Sequence, residues 1–95
     1  MDQWREVVGY EGKYQVSETG DVWSHSTHKY LEPLMIHGYL YCRLWNGRRQ
    51  RNVPIHRIVA ETFIENPDAK PWINHKDGNI LNNHMSNLEW VSPVV

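Results

Sequence analysis

From Tyr39 to Trp45 the chain alternates strictly: Leu40, Cys42 and Leu44 fall on one side of an extended strand, and Tyr39, Tyr41, Arg43 and Trp45 on the other. Asn46-Gly47 follows, a dipeptide that favours a two-residue hairpin turn, and Arg48 to Val53 reads as the return strand. The period then changes. Ile55, Ile58, Val59 and Phe63 recur at helical spacing, Pro54 suits the first turn, and Asn66-Pro67 ends the run, so a helix is predicted over 54–64.

Upstream, Tyr14–Ser17 and Asp21–Ser24 read as short strands joined through Glu18-Thr19-Gly20, with the glycine at a positive φ. His25 to Leu34 is polar and reads as a loop. Its His25/His28 pair is a poor metal site, because no other ligands cluster nearby and zinc takes four. Downstream, Asp68 to Pro71 forms a connecting turn. Trp72-Ile73 and Trp90-Val91 then suit a strand pair around a loop rich in turn formers, Asp77-Gly78-Asn79 and Asn82-Asn83. His75 falls at the end of the first of these strands, where it can face a cleft. The pattern predicts an α+β fold: small antiparallel hairpins plus one helix, divided into 1–53 and 54–95 but forming one compact domain.

Ninety-five residues support one modest core. Five Trp and five Tyr against one Phe supply bulk with a polar handle, and core packing is expected for at least two of Tyr10, Tyr14 and Trp23. The lone Cys42 has no intramolecular partner and reads as a small buried hydrophobe. No apolar run approaches a membrane span and Met1-Asp2-Gln3-Trp4 shows no signal peptide, so a cytoplasmic protein without a membrane partner is expected.

The net charge of −1 does not point to nucleic acid, but its distribution does. Pro33 to Ala60 contains no Asp or Glu, yet holds Arg43, Arg48, Arg49, Arg51 and Arg57. Such a segment suits a local phosphate footprint, with arginines on a nucleic-acid backbone and rings against sugars or bases. The plainer alternative is a hairpin edge kept soluble by its arginines. His56 reads as a partly buried, hydrogen-bonded histidine beside the helix stripe, and His84 as an exposed loop residue.

The sequence NHKDGNILNN, then SNLEWVS, preceded by HRIVAETFIENP, resembles the HNH endonucleases of phage genomes and intron-encoded homing enzymes. WREVVGYEGKYQVSETGDVWS resembles the nuclease-associated modular DNA-binding motif that often precedes them. The resemblance implies a ββα unit holding one divalent metal, Mg or Mn, for hydrolysis of a DNA phosphodiester. In that frame His75 is the general base, since an imidazole titrates near working pH. Asn74 places an oxygen on the metal, and Asn87 pins the loop and orients the histidine by hydrogen bonding. Arg43, Arg48, Arg49, Arg51 and Arg57 are then the DNA contacts, foremost Arg48, Arg49 and Arg51 at the hairpin tip.

Two departures temper the expected activity. Asn74 stands where the more active relatives carry Asp, and a neutral amide is a weak ligand for a hard cation. The third motif ligand belongs on a helix after the second strand. Ser92-Pro93 reads as the start of that helix, but only Val94 and Val95 follow, so the final helix reads as truncated. The expectation is a weak or silent nuclease, with or without a bound metal. The alternative is a catalytically inactive phage module, monomer or homodimer, that binds DNA or inhibits a host protein. A second copy donating the missing ligand is a third arrangement.

Overall fold

Helix α1 (Ile55–Phe63) is the piece around which the chain is arranged, as seen in a computed structural model that describes residues 3–93. Before it come two antiparallel sheets. The first orders β1 (Trp4–Glu6), β2 (Tyr14–Ser17), β3 (Val22–Ser24) and β4 (Lys29–Tyr30) in sequence, and the second orders β5 (Leu34–Ile36), β6 (Tyr39–Trp45) and β7 (Gln50–Pro54). After the helix, β8 (Trp72–His75) pairs with β9 (Leu88–Val91), and a short 3₁₀ turn (Met85–Asn87) leads into β9. The architecture is the α+β one expected.

The apolar stripe explains the packing. Ile55, Ile58 and Val59 are buried against Val7, Tyr14, Val16 and Val22 from the first sheet, Cys42 and Leu44 from the second, and Leu88 from β9. One hydrophobic cluster thus spans both halves of the sequence. Phe63 is only partly buried, and Ala60 takes the fully covered position instead. Strand β7 runs straight into α1, with Pro54 as the N-cap in extended conformation rather than as the first helical residue. At the other end, the Trp90 indole N–H donates to the Ile64 carbonyl at 3.1 Å, tying the helix terminus to β9. Tyr14 is buried as expected, and its hydroxyl accepts from the Trp45 N–H at 3.0 Å.

Three local details differ from the pattern reading. The β6–β7 register sets Trp45 opposite Gln50, and Asn46 N–H donates to the Arg49 carbonyl, so Gly47 and Arg48 are the central turn residues. Asn46 instead folds its Oδ1 onto the amides of Arg48 and Arg49, at 2.8 and 3.0 Å. Within the expected loop 25–34, Lys29 and Tyr30 form β4 on the edge of the first sheet, where Tyr30 stacks edge-on against Trp23. Ser92 and Pro93 have no regular structure, and Val94 and Val95, like Met1 and Asp2, lie outside the described residues.

Candidate functional site

His75 closes β8 opposite Leu88 and turns its ring inward, leaving the residue 8% exposed. Its Nε2 lies 2.9 Å from Asn83 Oδ1. An amide oxygen only accepts, so Nε2 donates in this contact, and in the neutral ring the lone pair is then on Nδ1. The His56 ring, from the first turn of α1, stands edge-on to His75 with centroids 5.2 Å apart. Tyr39, the first residue of β6, lies 5.6 Å from His56 and 6.4 Å from His75. Strand β6, helix α1 and strand β8 therefore meet at this ring.

His56 is not the hydrogen-bonded histidine expected. Its Nδ1 is buried with no hydrogen-bond partner among the described residues. Burial first, then His75 and Arg57, push its pKa down to about 4. A neutral ring is what stands beside His75.

The loop between β8 and β9 is held by Asn87 and Asp77. Asn87 Nδ2 donates to Asp77 Oδ1 and to the Asn82 carbonyl, both at 2.9 Å, and its Oδ1 accepts from the Asp77 N–H at 3.1 Å. Asp77 also accepts from the Asn82 side chain and the Asn79 N–H, and these bonds, Asn82 first, hold its carboxyl below the ordinary range. Asn87 thus ties the loop together, but among the described residues it does not bond the imidazole. The His75 ring instead donates to Asn83, because Asn87 sits in the 3₁₀ turn facing the loop backbone. His84 caps that turn through Nδ1, which accepts from the Ser86 N–H at 3.1 Å.

Asn74, adjacent to His75, faces the other side of the two-stranded sheet and is exposed. Its cross-strand partner is Glu89, and Asn74 Nδ2 donates to Glu89 Oε1 at 3.1 Å. The pair presents an amide oxygen and a carboxylate on one face. Among the described residues, no group of three or more His, Cys, Asp or Glu is arranged to hold a metal. The donor set is still compatible with a hard cation that keeps most of its water and takes one carboxylate plus phosphate oxygens, as magnesium does.

The arginines do not share one face. Arg43 projects from the outer face of β6 with Tyr41 and Trp45, its Nε donating to Asn52 at 3.4 Å. Arg48 and Arg49 are exposed at the turn. Arg51 pairs with Leu44, so it points to the opposite face, over a cleft of about 460 Å³ bordered by Val8, Tyr10 and Thr62. Arg57 is occupied: it pairs with Glu61 at 3.1 Å, donates to the Pro71 carbonyl at 3.4 Å, and lies over the Trp90 ring at 5.8 Å. The outer face of β6 runs from Trp45 and Arg43 through Tyr41 to Tyr39, and so ends at the two histidines.

Asn83, Glu89 and Tyr39 were not read from the sequence as site residues. Glu89 had a usable signal: with Trp72 opposite Val91, Asn74 must fall opposite Glu89. Asn83 had none beyond its place among turn-forming asparagines.

The first half of the chain, residues 2–48, matches the NUMOD4 motif. Over nearly its whole length the chain is similar to the uncharacterized HNH endonuclease L245 of Acanthamoeba polyphaga mimivirus, at 38% identity over 97% of this chain and 28% of the relative. It is similar to the DNA endonuclease I-HmuI of Bacillus phage SP01, at 40% identity over 95% of this chain and 52% of the relative. The H-N-H endonuclease F-TflI of Escherichia phage T5 is 34% identical over 85% of this chain and 43% of its own length. Among solved structures, the one reporting DNA binding and cleavage by the HNH homing endonuclease I-HmuI superposes with a TM-score of 0.88, covering 95% of this chain and 52% of the other. The chain therefore spans about half or less of these relatives' lengths. No described helix is long and apolar enough to cross a membrane. Fold, sequence and motif agree: the chain is similar along most of its length to HNH endonucleases of phages and a mimivirus, shares the fold of the HNH homing endonuclease I-HmuI, and carries a NUMOD4 motif at residues 2–48.

Proposed function

We propose that the chain is an HNH-type DNA endonuclease unit that hydrolyses a phosphodiester with the help of one divalent metal. The observation that carries this reading is the His75 imidazole, held at Nε2 by Asn83 with the lone pair on Nδ1. That tautomer makes Nδ1 the atom that takes a proton from the attacking water. Asn87 keeps the loop, and with it Asn83, at a fixed height above β8. Asn74 Oδ1 and the Glu89 carboxylate are the groups that would hold Mg²⁺ or Mn²⁺. A bound cation would supply charge neutralisation at the phosphate and the leaving oxygen. Arg43, Arg48 and Arg49 would contact backbone phosphates, with Tyr41 and Trp45 beside them; Arg51 and Arg57 contribute less, given where they point and what they already bind. Its similarity to phage endonucleases supports work in the cytoplasm of a phage-infected cell.

The test is nicking of supercoiled plasmid with Mg²⁺ or Mn²⁺. The expected outcome is open-circular product that requires the cation and disappears in His75→Ala. Absence of product from the wild-type chain across both metals, at concentrations that bind DNA, would refute it.

One observation favours a second reading, a module that binds DNA or a host protein without cutting. The His75 residue is only 8% exposed, and the neutral Asn74 and its partner Glu89 face the other side of the two-stranded sheet. In that case His75→Ala keeps full partner affinity and the wild type never nicks. A second copy of the chain supplying a further ligand is distinguished by sedimentation, which would show a dimer at nicking concentrations.

A further inference from the structure

We infer that the β2–β3 turn of the N-terminal half is a positioning element for the candidate site, acting on His75 through Asn83. The inference rests on the reading of His75 as the base, but concerns how its ring is held. Asn83 is buried, and its only side-chain hydrogen bond among the described residues is the one to His75. What holds Asn83 is therefore packing and the backbone of its loop. The turn at 18–20 contributes to both, beside the bond from Asn87 to the Asn82 carbonyl. Gly20, at φ +94°, lies so close that a Cβ there would sit 3.0 Å from Ile55 Cγ2 and 3.4 Å from Asn83 Cβ. Two residues earlier, the Glu18 carbonyl accepts from the Met85 N–H at 2.8 Å, fixing the loop just beyond Asn83. The turn is thus a seat and a clasp for the segment 83–85.

The placement has a physical logic. A single neutral hydrogen bond orients a ring well only if its acceptor cannot wander. Asn83 sits on a long loop, which by itself is a poor mount. The missing Cβ of Gly20 lets the loop rest directly on the hairpin, and the hairpin is anchored in the core through Val16 and Val22. Gly20 and Glu18 touch no reacting atom, so they are positioning residues. The N-terminal half then contributes to the site itself, apart from any contact it makes with DNA.

The readout is solvent exchange of the His75 ring Nε2 proton, followed by NMR on the labelled whole chain without metal or DNA, at about pH 8, above the ordinary imidazole range. Wild type should show a protected ring N–H; Asn83→Ala should lose it and Asn83→Asp, which keeps an acceptor oxygen, should restore it. Gly20→Ala should speed exchange on the order of tenfold, the scale of losing one hydrogen bond. Gly12→Ala is the control: Gly12 also has a positive φ, +81°, but nothing lies within 4 Å of its Cβ position. It should leave the ring proton unchanged. Should Gly20→Ala fail to fold, Met85→Pro removes only the N–H that meets Glu18, at a helix start where proline is tolerated, and Met85→Ala controls for the side chain. Expected is faster exchange in Met85→Pro alone. A folded Gly20→Ala or Met85→Pro with wild-type protection overturns the proposal, as does a wild-type ring with no protected N–H. Nicking is not the readout, so a chain that never cuts DNA can still pass, and a cutting chain can still fail.

Discussion

The rings of His56 and His75 meet edge to face, 5.2 Å apart, although one belongs to α1 and the other to β8. His56 is the partner whose charge is suppressed, since burial and its two cationic or titrating neighbours all favour the neutral ring.

This sets a pH window. The folded pKa of His56 is depressed from 6.5 to about 4, so the unfolded chain binds the extra proton between these values. Stability from this group is complete above 6.5 and is lost as pH falls toward 4. Urea unfolding at neutral pH and near pH 4.5 should therefore show a smaller acid loss in His56→Gln than in wild type. An equal loss in both would remove His56 as the cause.

Metal affinity should follow charge at the Asn74–Glu89 pair. Asn74→Asp adds a carboxylate ligand and should tighten Mn²⁺ binding by roughly tenfold or more, whereas Glu89→Gln should weaken it by a similar factor. Titration calorimetry on the DNA-free chain reads both. Unchanged affinity in both variants would place any bound ion elsewhere.

Salt should separate the arginines. Arg48→Ala and Arg49→Ala should each lower the slope of log affinity for duplex DNA against log salt by about 0.9, the value for one phosphate contact. Arg57→Ala should leave the slope alone and lower stability, because its guanidinium is spent on Glu61, the Pro71 carbonyl and Trp90. A slope change in Arg57→Ala alone would invert this assignment.

Asn87→Ala should destabilise the fold by about 2 kcal/mol or more, since it strands the Asp77 N–H and leaves the Asn82 carbonyl and Asp77 Oδ1 short of a donor. The loss should appear in the urea midpoint with DNA absent. Wild-type stability with lost nicking would mean that Asn87 acts on chemistry rather than on the loop.

Much of this architecture was legible from pattern alone. The strict alternation over 39–45 and the stripe at Ile55, Ile58 and Val59 each report burial of one face, and burial is what the fold delivers. The β2–β3 turn was equally readable, because a positive φ at Gly20 leaves few other choices. The site was legible only in part. Its linear motif located His75, Asn74 and Asn87, but the ring's actual partners come from three separated elements, Tyr39, His56 and Asn83, and a spacing rule cannot see across them. The Asn46-Gly47 signal fell one residue short of the true turn because the Asn46 side chain itself caps the following amides. Arginine orientation followed strand parity, which composition ignores: Leu44 opposite Arg51 turns that arginine away from Arg43.

The shared cluster of Val16, Val22, Leu44, Ile58, Val59 and Leu88 has a practical meaning for anyone hoping to transplant the N-terminal motif onto another nuclease. Excised at residue 53, its first two sheets would present Val16, Val22 and Leu44 to water, with nothing left to lie across them. A working graft has to bring α1 along, and β9 with it, or supply a replacement helix with the same stripe.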